Sequence, residues 1–411
     1  MAGIAASRLQ VLSDRPIPLL VVWEITLRCD QRCRFCGTRA GKGHPEELST
    51  EEALGVIEQL AQMGTREIAV HGGEAYLRKD FVQIMAAIAD RGMAATMVTG
   101  GRGMSEALAG QLAAAGVAAV SVSLDGDAAT HDELRGVEGS HAAALSAMRT
   151  LRKAGVPVGC NTQINRRNMG KLDAIAECFV PEGAYGWQVQ LMIPMGRAAD
   201  AEDLWLQPYD LLEVMPGIMR ARARCQRDGV PLWPGNNVGY FGPYEHLLRR
   251  DRSRTGFSSG CGGGIRTMGI EANGDIKGCS AMASKGFVGG NLREQPIADI
   301  WDHAPELQFT RGFVLDDLWG ECRRCYYATT CKGGCLWTSS TLLGRTGNNP
   351  YCHHRALELL LRGKRERLAL IEAAPGELRD TARFELIEED APADWAREVE
   401  AHAARDAAPA P

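Results

Sequence analysis

What the 411-residue sequence lacks narrows its class first. No apolar run approaches the roughly 20 residues a helix needs to span a bilayer. The opening residues, Met1 to Arg8, contain no basic segment followed by a long apolar core, so there is no secretory signal pattern. Positive charge is not in excess: 46 Lys and Arg stand against 51 Asp and Glu, a net charge of −5. That balance argues against a nucleic-acid groove and a basic membrane face. The expected location is the cytoplasm, with no membrane and no nucleic-acid partner. The missing secretion signal also bears on the 13 cysteines. In a reducing compartment a disulfide framework is not expected, and metal binding is the better use for them.

What is present is a globular make-up, 45% hydrophobic and 24% charged, long enough for one large domain and a smaller one. From about residue 19 to 228 strand and helix patterns alternate. Strands are expected at residues 19–26, 66–70, 94–98, 117–124, 156–164 and 187–193. The helices between them include one opened by a Ser49–Glu52 capping box, and a long last one over 208–227. Six such units predict an α/β fold with a parallel sheet and right-handed crossovers, in the form of an incomplete barrel open on one side. Residues 1–18 are a lead-in. Residues 229–260, crowded with Pro, Gly and Asn, form a bridging loop. Its rings, Trp233, Tyr240, Phe241 and Tyr244, either line an active-site wall or pack on the preceding helix. Residues 261–355 are rich in cysteine and glycine. Residues 356–411 are expected to begin within a helix over 355–373 and to end in a frayed tail.

The stretch around which the chain is organised is Cys29-x3-Cys33-x2-Cys36, directly after the first strand. Cysteines there lie on a loop at the carboxyl end of a strand, the end that carries chemistry in strand–helix barrels. Three thiolates leave a fourth coordination position open, and thiolate-only ligation selects zinc or an iron–sulfur cluster. A structural zinc knuckle normally supplies four ligands, and no His or Cys follows until His44. With Phe35 before the last cysteine, the motif resembles the signature of the radical S-adenosylmethionine (radical SAM) enzymes. That resemblance implies a partial (β/α)6 TIM-type barrel. It also implies a [4Fe–4S] cluster on Cys29, Cys33 and Cys36, whose open iron takes S-adenosylmethionine. The chemistry implied is reductive cleavage to a 5′-deoxyadenosyl radical that removes a hydrogen atom from substrate.

The same resemblance implies a cofactor pocket. Gly72-Gly73-Glu74 ends the second strand and looks like the family motif for the methionine amino group, although Ala75 stands where Pro is frequent. A strand-end turn explains two glycines equally well. Ser123 and Asp125 close the fourth strand where ribose hydroxyls sit in similar enzymes, or they are a strand end and an Asp-Gly turn. Arg135 is implied to reach the cofactor carboxylate, for which a guanidinium suits, and Phe35 to pack on adenine. Asn161, Asn165 and the Met195-Gly196 pair are expected to serve packing or loops.

A second set of cysteines reads Cys261, Cys279, then Cys322-x2-Cys325-x5-Cys331-x3-Cys335, then Cys352. A zinc ribbon uses four and leaves three over. The set resembles the SPASM extension of radical SAM enzymes, a small cysteine-rich domain. By that resemblance Cys322, Cys325, Cys331 and Cys352 hold an outer auxiliary cluster. Cys261, Cys279 and Cys335 hold an inner one that is a cysteine short, since residues 246–260 contain none. Three [4Fe–4S] clusters are therefore expected, with an external electron donor of flavodoxin or ferredoxin type.

Enzymes of this kind act largely on peptides. Sulfatase maturases carry an acidic residue after the cysteine that Cys279 matches; here it is Ser280. Fewer than twenty residues precede the first strand, so no N-terminal peptide-recognition domain is expected. The expected function is maturation of a ribosomally made peptide by crosslinking or oxidation at unactivated carbon. The alternative is an epimerase or dehydrogenase of a small sugar or aminoglycoside intermediate. An epimerase needs a hydrogen donor; of the cysteines left over, Cys160, Cys178 and Cys225, the one on the fifth strand, Cys160, is the candidate. A bare electron carrier needs neither the open cluster site nor the Gly73-Glu74 turn.

Overall fold

The computed structural model describes residues 15–249, 260–392 and 395. Six parallel strands stand side by side in chain order: β1 (Leu20–Thr26), β2 (Glu67–Gly72), β3 (Ala94–Thr99), β4 (Ala119–Ser123), β5 (Val158–Ile164) and β6 (Trp187–Leu191). They form the partial barrel expected of the sequence, and it does not close. At the β6 edge a seventh parallel strand, β7 (Leu232–Pro234), is added by the segment read as a bridging loop. At the other edge β8 (Thr267–Ile270) lies parallel to β1, followed by the antiparallel β9 (Asp275–Lys277) and β10 (Val288–Asn291). The cysteine-rich segment thus continues the sheet of the barrel.

Side chains alternate across each strand, so register sorts the residues into two faces. On the outer face Val21, Trp23, Ile25, Ile68, Val70 and their counterparts are buried under the helices. The first of these helices, Thr50–Gln62, is opened by the Ser49–Glu52 capping box and buries Ala53, Val56, Ile57 and Leu60. On the inner face the register aligns Glu24 with His71, Val98 with Ser121, Ser123 with Asn161, and Asn161 with Gln188. This face is half-open and polar. The larger hydrophobic core among the described residues runs on into Ile300, Trp301, Tyr351, Leu368 and Phe384, joining barrel, cysteine-rich segment and C-terminal segment.

The helix expected over 355–373 is formed only as far as Leu361. The helix there is His353–Leu361, and β11 (Lys364–Glu372) follows, paired antiparallel with β12 (Arg383–Asp390). Gly363 ends the helical run. Beyond it the pattern has period two: Glu366 and Leu368 turn inward, while Arg365 and Arg367 meet Glu389 across the pair at 2.7 and 2.9 Å. The tail read as frayed is therefore structured as far as residue 392; residues 396–411, like most of 1–18, lie outside the described residues.

Candidate functional site

The carboxyl ends of β1 to β5 converge on the three-cysteine loop. Cys29, Cys33 and Cys36 lie within electrostatic reach of one another, and all are free thiols. The loop is fastened from several sides. Gly41 accepts from the Cys29 amide at 3.0 Å, and Arg135 and Leu134 accept from the amides of Arg32 and Arg34. Arg197, past β6, donates to the Cys33 carbonyl at 2.8 Å, and its own amide donates to that of Cys36. Burial pushes the Cys29 thiol up to about 12, against the pull of the Gln31 amide. Burial likewise raises Cys33, while Arg135 pulls it down. Protonated, these thiols are neutral, Cys33 buried and Cys29 half-buried; a metal centre would displace the protons, and binding would then carry that free energy. Three free thiols within electrostatic reach of one another, that of Cys33 lying 3.8 Å from a guanidinium, suit thiolate ligation of a cluster.

Glu74 sits beside this loop because the two glycines before it let β2 run tight against β1. A Cβ on Gly72 would collide with the Thr26 carbonyl; one on Gly73 would strike that of Arg28 and come within 2.8 Å of the Cys29 Cβ. The glycines thus serve backbone packing, and the packing delivers Glu74. That side chain is 3% exposed and accepts from Thr99 Oγ1 and the Gly100 amide, each at 2.6 Å. Burial raises it to about 7, against those two hydrogen bonds.

Arg135 lies over the Phe35 ring at 5.1 Å and approaches Cys33 Sγ at 3.8 Å. Burial alone would lower its guanidinium, but Asp125 and Cys33 hold it above its usual value. Ser123 is buried on the inner face opposite Asn161, whose Oδ1 is buried without a partner among the described residues. Asp125 differs from the implied ribose contact. It is 0% exposed, and both oxygens are engaged: Oδ2 by Arg135 at 2.9 Å, Oδ1 by the Gln163 amide at 2.8 Å. Asp125 positions Arg135. Asn165 binds Asn168 in a buried turn, and Gly196 packs on the carbonyls of Cys36 and Gly37.

Cys160 does not reach the inner face. Its register partner is Trp187, which packs on Phe179 beneath the helices, and Cys160 is buried there beside Thr162. As the hydrogen donor of an epimerase it is ruled out by position, since the opposite face of β5 looks into the cleft.

Of the other cysteines, those from Cys261 onward lie in two neighbourhoods. Cys261 lies near Cys279 and Cys335; Cys331 lies near Cys322, Cys325 and Cys352. Burial pushes Cys261 up to about 12, Cys335 to about 11 and Cys352 to about 12. The rings of the bridging loop serve this region. Tyr240 and Phe241 are buried against Cys335, Cys331, Cys352 and Tyr327, and Tyr244 stacks on His353 at 5.7 Å. Trp233 alone of the four registers with the inner face, through Gln188, and is 39% exposed.

Sequence reasoning missed the charges that join these parts. Arg379, between β11 and β12, reaches Glu24 on β1 and Glu271 after β8, and Glu271 also pairs with Lys277 at 2.6 Å. Arg39, three residues past Cys36, holds Asp200 and Asp380. No local pattern marks such pairs, because their partners are brought together only by the fold.

Among the described residues no helix is long and apolar enough to cross a membrane. Residues 23–166 match the Radical SAM superfamily, and residues 261–326 match SPASM, an iron–sulfur cluster-binding domain. The chain is 27% identical to the AdoMet-dependent heme synthase of Methanosarcina barkeri, over 82% of this chain and 97% of that one. It is 28% identical to the PqqA peptide cyclase of Granulibacter bethesdensis, over 80% and 84%. Among solved structures, anSMEcpe with bound AdoMet superposes with a TM-score of 0.66 at 17% identity, over 83% and 95%. With the three-cysteine loop at the mouth of a partial barrel and the second cysteine set built onto its edge, the chain belongs to the radical SAM superfamily and carries a C-terminal SPASM domain.

Proposed function

We propose that this enzyme matures a ribosomally made peptide, removing hydrogen from an unactivated carbon to crosslink or oxidise it. The observation that carries this reading is the inner face of the sheet. Ser121, Asn161, Gln163, Gln188 and Gln190 line it with half-open, uncharged donors and acceptors. Those groups match the amides of a peptide backbone. The ionic groups reaching that face from β1, Glu24 and its partner Arg379, are tied to each other rather than offered to an ionic substrate. The relative named as a peptide cyclase supports the same reading.

In this reading Cys29, Cys33 and Cys36 hold the catalytic cluster, and the two further groups hold an inner and an outer auxiliary cluster, three in all. The bound cluster and S-adenosylmethionine supply a carbon-centred radical able to take a hydrogen atom. The chain supplies placement: Glu74 for the methionine amino group, Arg135 for its carboxylate with Asp125 fixing the guanidinium, Phe35 and Ser123 for the nucleoside. A flavodoxin- or ferredoxin-type protein delivers the electron.

A second reading, a small-molecule substrate, is favoured by the alignment to 97% of the heme synthase chain. The deciding experiment is anaerobic incubation with S-adenosylmethionine, reductant and a precursor peptide encoded beside the gene, followed by mass spectrometry. Loss of two hydrogens supports crosslinking or oxidation. Unchanged mass with one deuterium gained from heavy water, or conversion of an iron porphyrin to heme with the peptide untouched, overturns it. Iron and sulfide near one cluster per chain, or zinc in place of iron, overturns the cluster assignment.

A further inference from the structure

Tyr240 has no part in the three-cysteine site, yet among the described residues it is the most enclosed ring of the loop between β7 and β8. It is 1% exposed, and its phenol oxygen is buried with no hydrogen-bond partner among the described residues. A buried hydroxyl left unpaired costs about 1–3 kcal/mol. Such an oxygen points to a partner that the described residues do not provide.

Its surroundings indicate which partner. The Tyr240 carbonyl accepts from Cys352 Sγ at 3.5 Å and from the His354 amide at 3.2 Å, which anchors the backbone at the outer cysteine group. The ring packs on Cys335 and Cys331. It passes over Gly334, where a Cβ would stand 2.7 Å from the ring. The Arg249 guanidinium covers it at 4.4 Å and is itself fixed by Glu245 at 2.8 Å and the Gly239 carbonyl at 2.7 Å. The thiols within electrostatic reach of the phenol are those of Cys335, Cys331 and Cys261. Two of these belong to the inner group, the group with only three cysteines. A phenol, with an ordinary value near ~10, carries its proton at neutral pH and is a donor.

We propose that the Tyr240 hydroxyl donates a hydrogen bond to a sulfur of the inner auxiliary cluster and so raises that cluster's reduction potential. This rests on reading Cys261, Cys279 and Cys335 as its ligands. The physical basis is that reduction adds negative charge, and a donor aimed at sulfur stabilises the reduced form over the oxidised one. Tyr240 acts through the cluster and is a positioning residue, not a catalytic one.

The test is Tyr240→Phe, which keeps the ring and removes only the hydroxyl. It is made in the full chain together with Cys29→Ala, Cys33→Ala and Cys36→Ala, so that only auxiliary centres remain. The anaerobically loaded protein is titrated while its electron paramagnetic resonance is followed. The expected result is unchanged iron and sulfide, one auxiliary potential lowered and the other unmoved. The lowered centre is the one whose signal disappears in Cys261→Ala. Unchanged potentials overturn the proposal. So does a shift confined to the outer centre, or a loss of iron, which would make the oxygen a ligand. If the parent chain does not load two auxiliary clusters, the ligand assignment itself fails, and the iron and sulfide counts distinguish that failure from the first.

Discussion

Arg379 offers the sharpest test of how the C-terminal segment is built into the enzyme. It is nearly fully buried and stands between two buried carboxylates, Glu24 on β1 and Glu271 beyond β8. Glu271 has a second partner in Lys277 and a third in Ser284 at 2.7 Å; Glu24 depends chiefly on Arg379. Arg379→Ala therefore leaves a buried carboxylate without its cation. Breaking a buried pair from one side costs roughly 3–5 kcal/mol, a large share of a total of about 5–15 kcal/mol. Burial already holds Glu24 above the usual carboxylate range, with Arg379 pulling it down. Without Arg379 its folded value rises further. A carboxyl raised in the folded state binds extra protons there, so it adds stability at low pH that is lost as pH climbs through the folded value. The loss in Arg379→Ala should be largest near pH 8 and shrink toward pH 5. Urea denaturation at both pH values measures it. The double change Arg379→Met with Glu24→Gln should recover much of the loss, because no lone charge remains. A single variant within about 1 kcal/mol of the parent at pH 8, on the scale of an exposed ion pair, would refute the reasoning. So would a loss that does not diminish at pH 5.

Changing Cys29, Cys33 and Cys36 to Ala should abolish 5′-deoxyadenosine formation while the auxiliary iron stays; cleavage that survives would place the catalytic cluster elsewhere. Glu74→Ala and Arg135→Ala should each remove a charge-assisted hydrogen bond of roughly 1.5–3 kcal/mol, about ten- to a hundredfold in S-adenosylmethionine affinity by calorimetry. Unchanged affinity in both means the pocket is misplaced. Because burial raises Glu74 to about 7, and an ammonium group is held by the carboxylate form, affinity in the parent should tighten as pH rises from 6 to 8. Glu74→Gln should flatten that dependence.

The alternation of strands and helices, and both cysteine sets, were legible because each is written locally. The Ser49–Glu52 capping box, the period-two strand faces and the cysteine spacings need no distant partner to be seen. The C-terminal segment misled for the opposite reason. Residues 355–373 carry enough Leu and Ala to suggest a helix, and the strand beyond Gly363 is decided by its pairing with residues 383–390. Asp125 was legible as a polar strand end, yet its role depends on Arg135, ten residues on and folded back over it. Cys160 could be placed on β5 from the sequence, but not on the outer face of it; the register with Trp187 decides that.

The three-cysteine loop itself shows why more could not be read. Its spacing is local, but what holds its shape is not. Arg39 reaches Asp380 across 341 residues, at 2.8 Å, while also holding Asp200 after β6. Asp380 accepts from the amides of Gly376 and Glu377, and its own carbonyl accepts from the Gly196 amide at 2.8 Å. Arg197, next in sequence, returns to Cys33 and Ala40. The loop carrying the three cysteines is thus clamped between the end of β6 and the turn joining β11 to β12. A site that must hold reacting atoms in one geometry gains from such clamping, since placement errors near an ångström are costly to rate. An electron carrier has no comparable need. In this chain the C-terminal segment beyond the SPASM match is structurally tied to the three-cysteine loop.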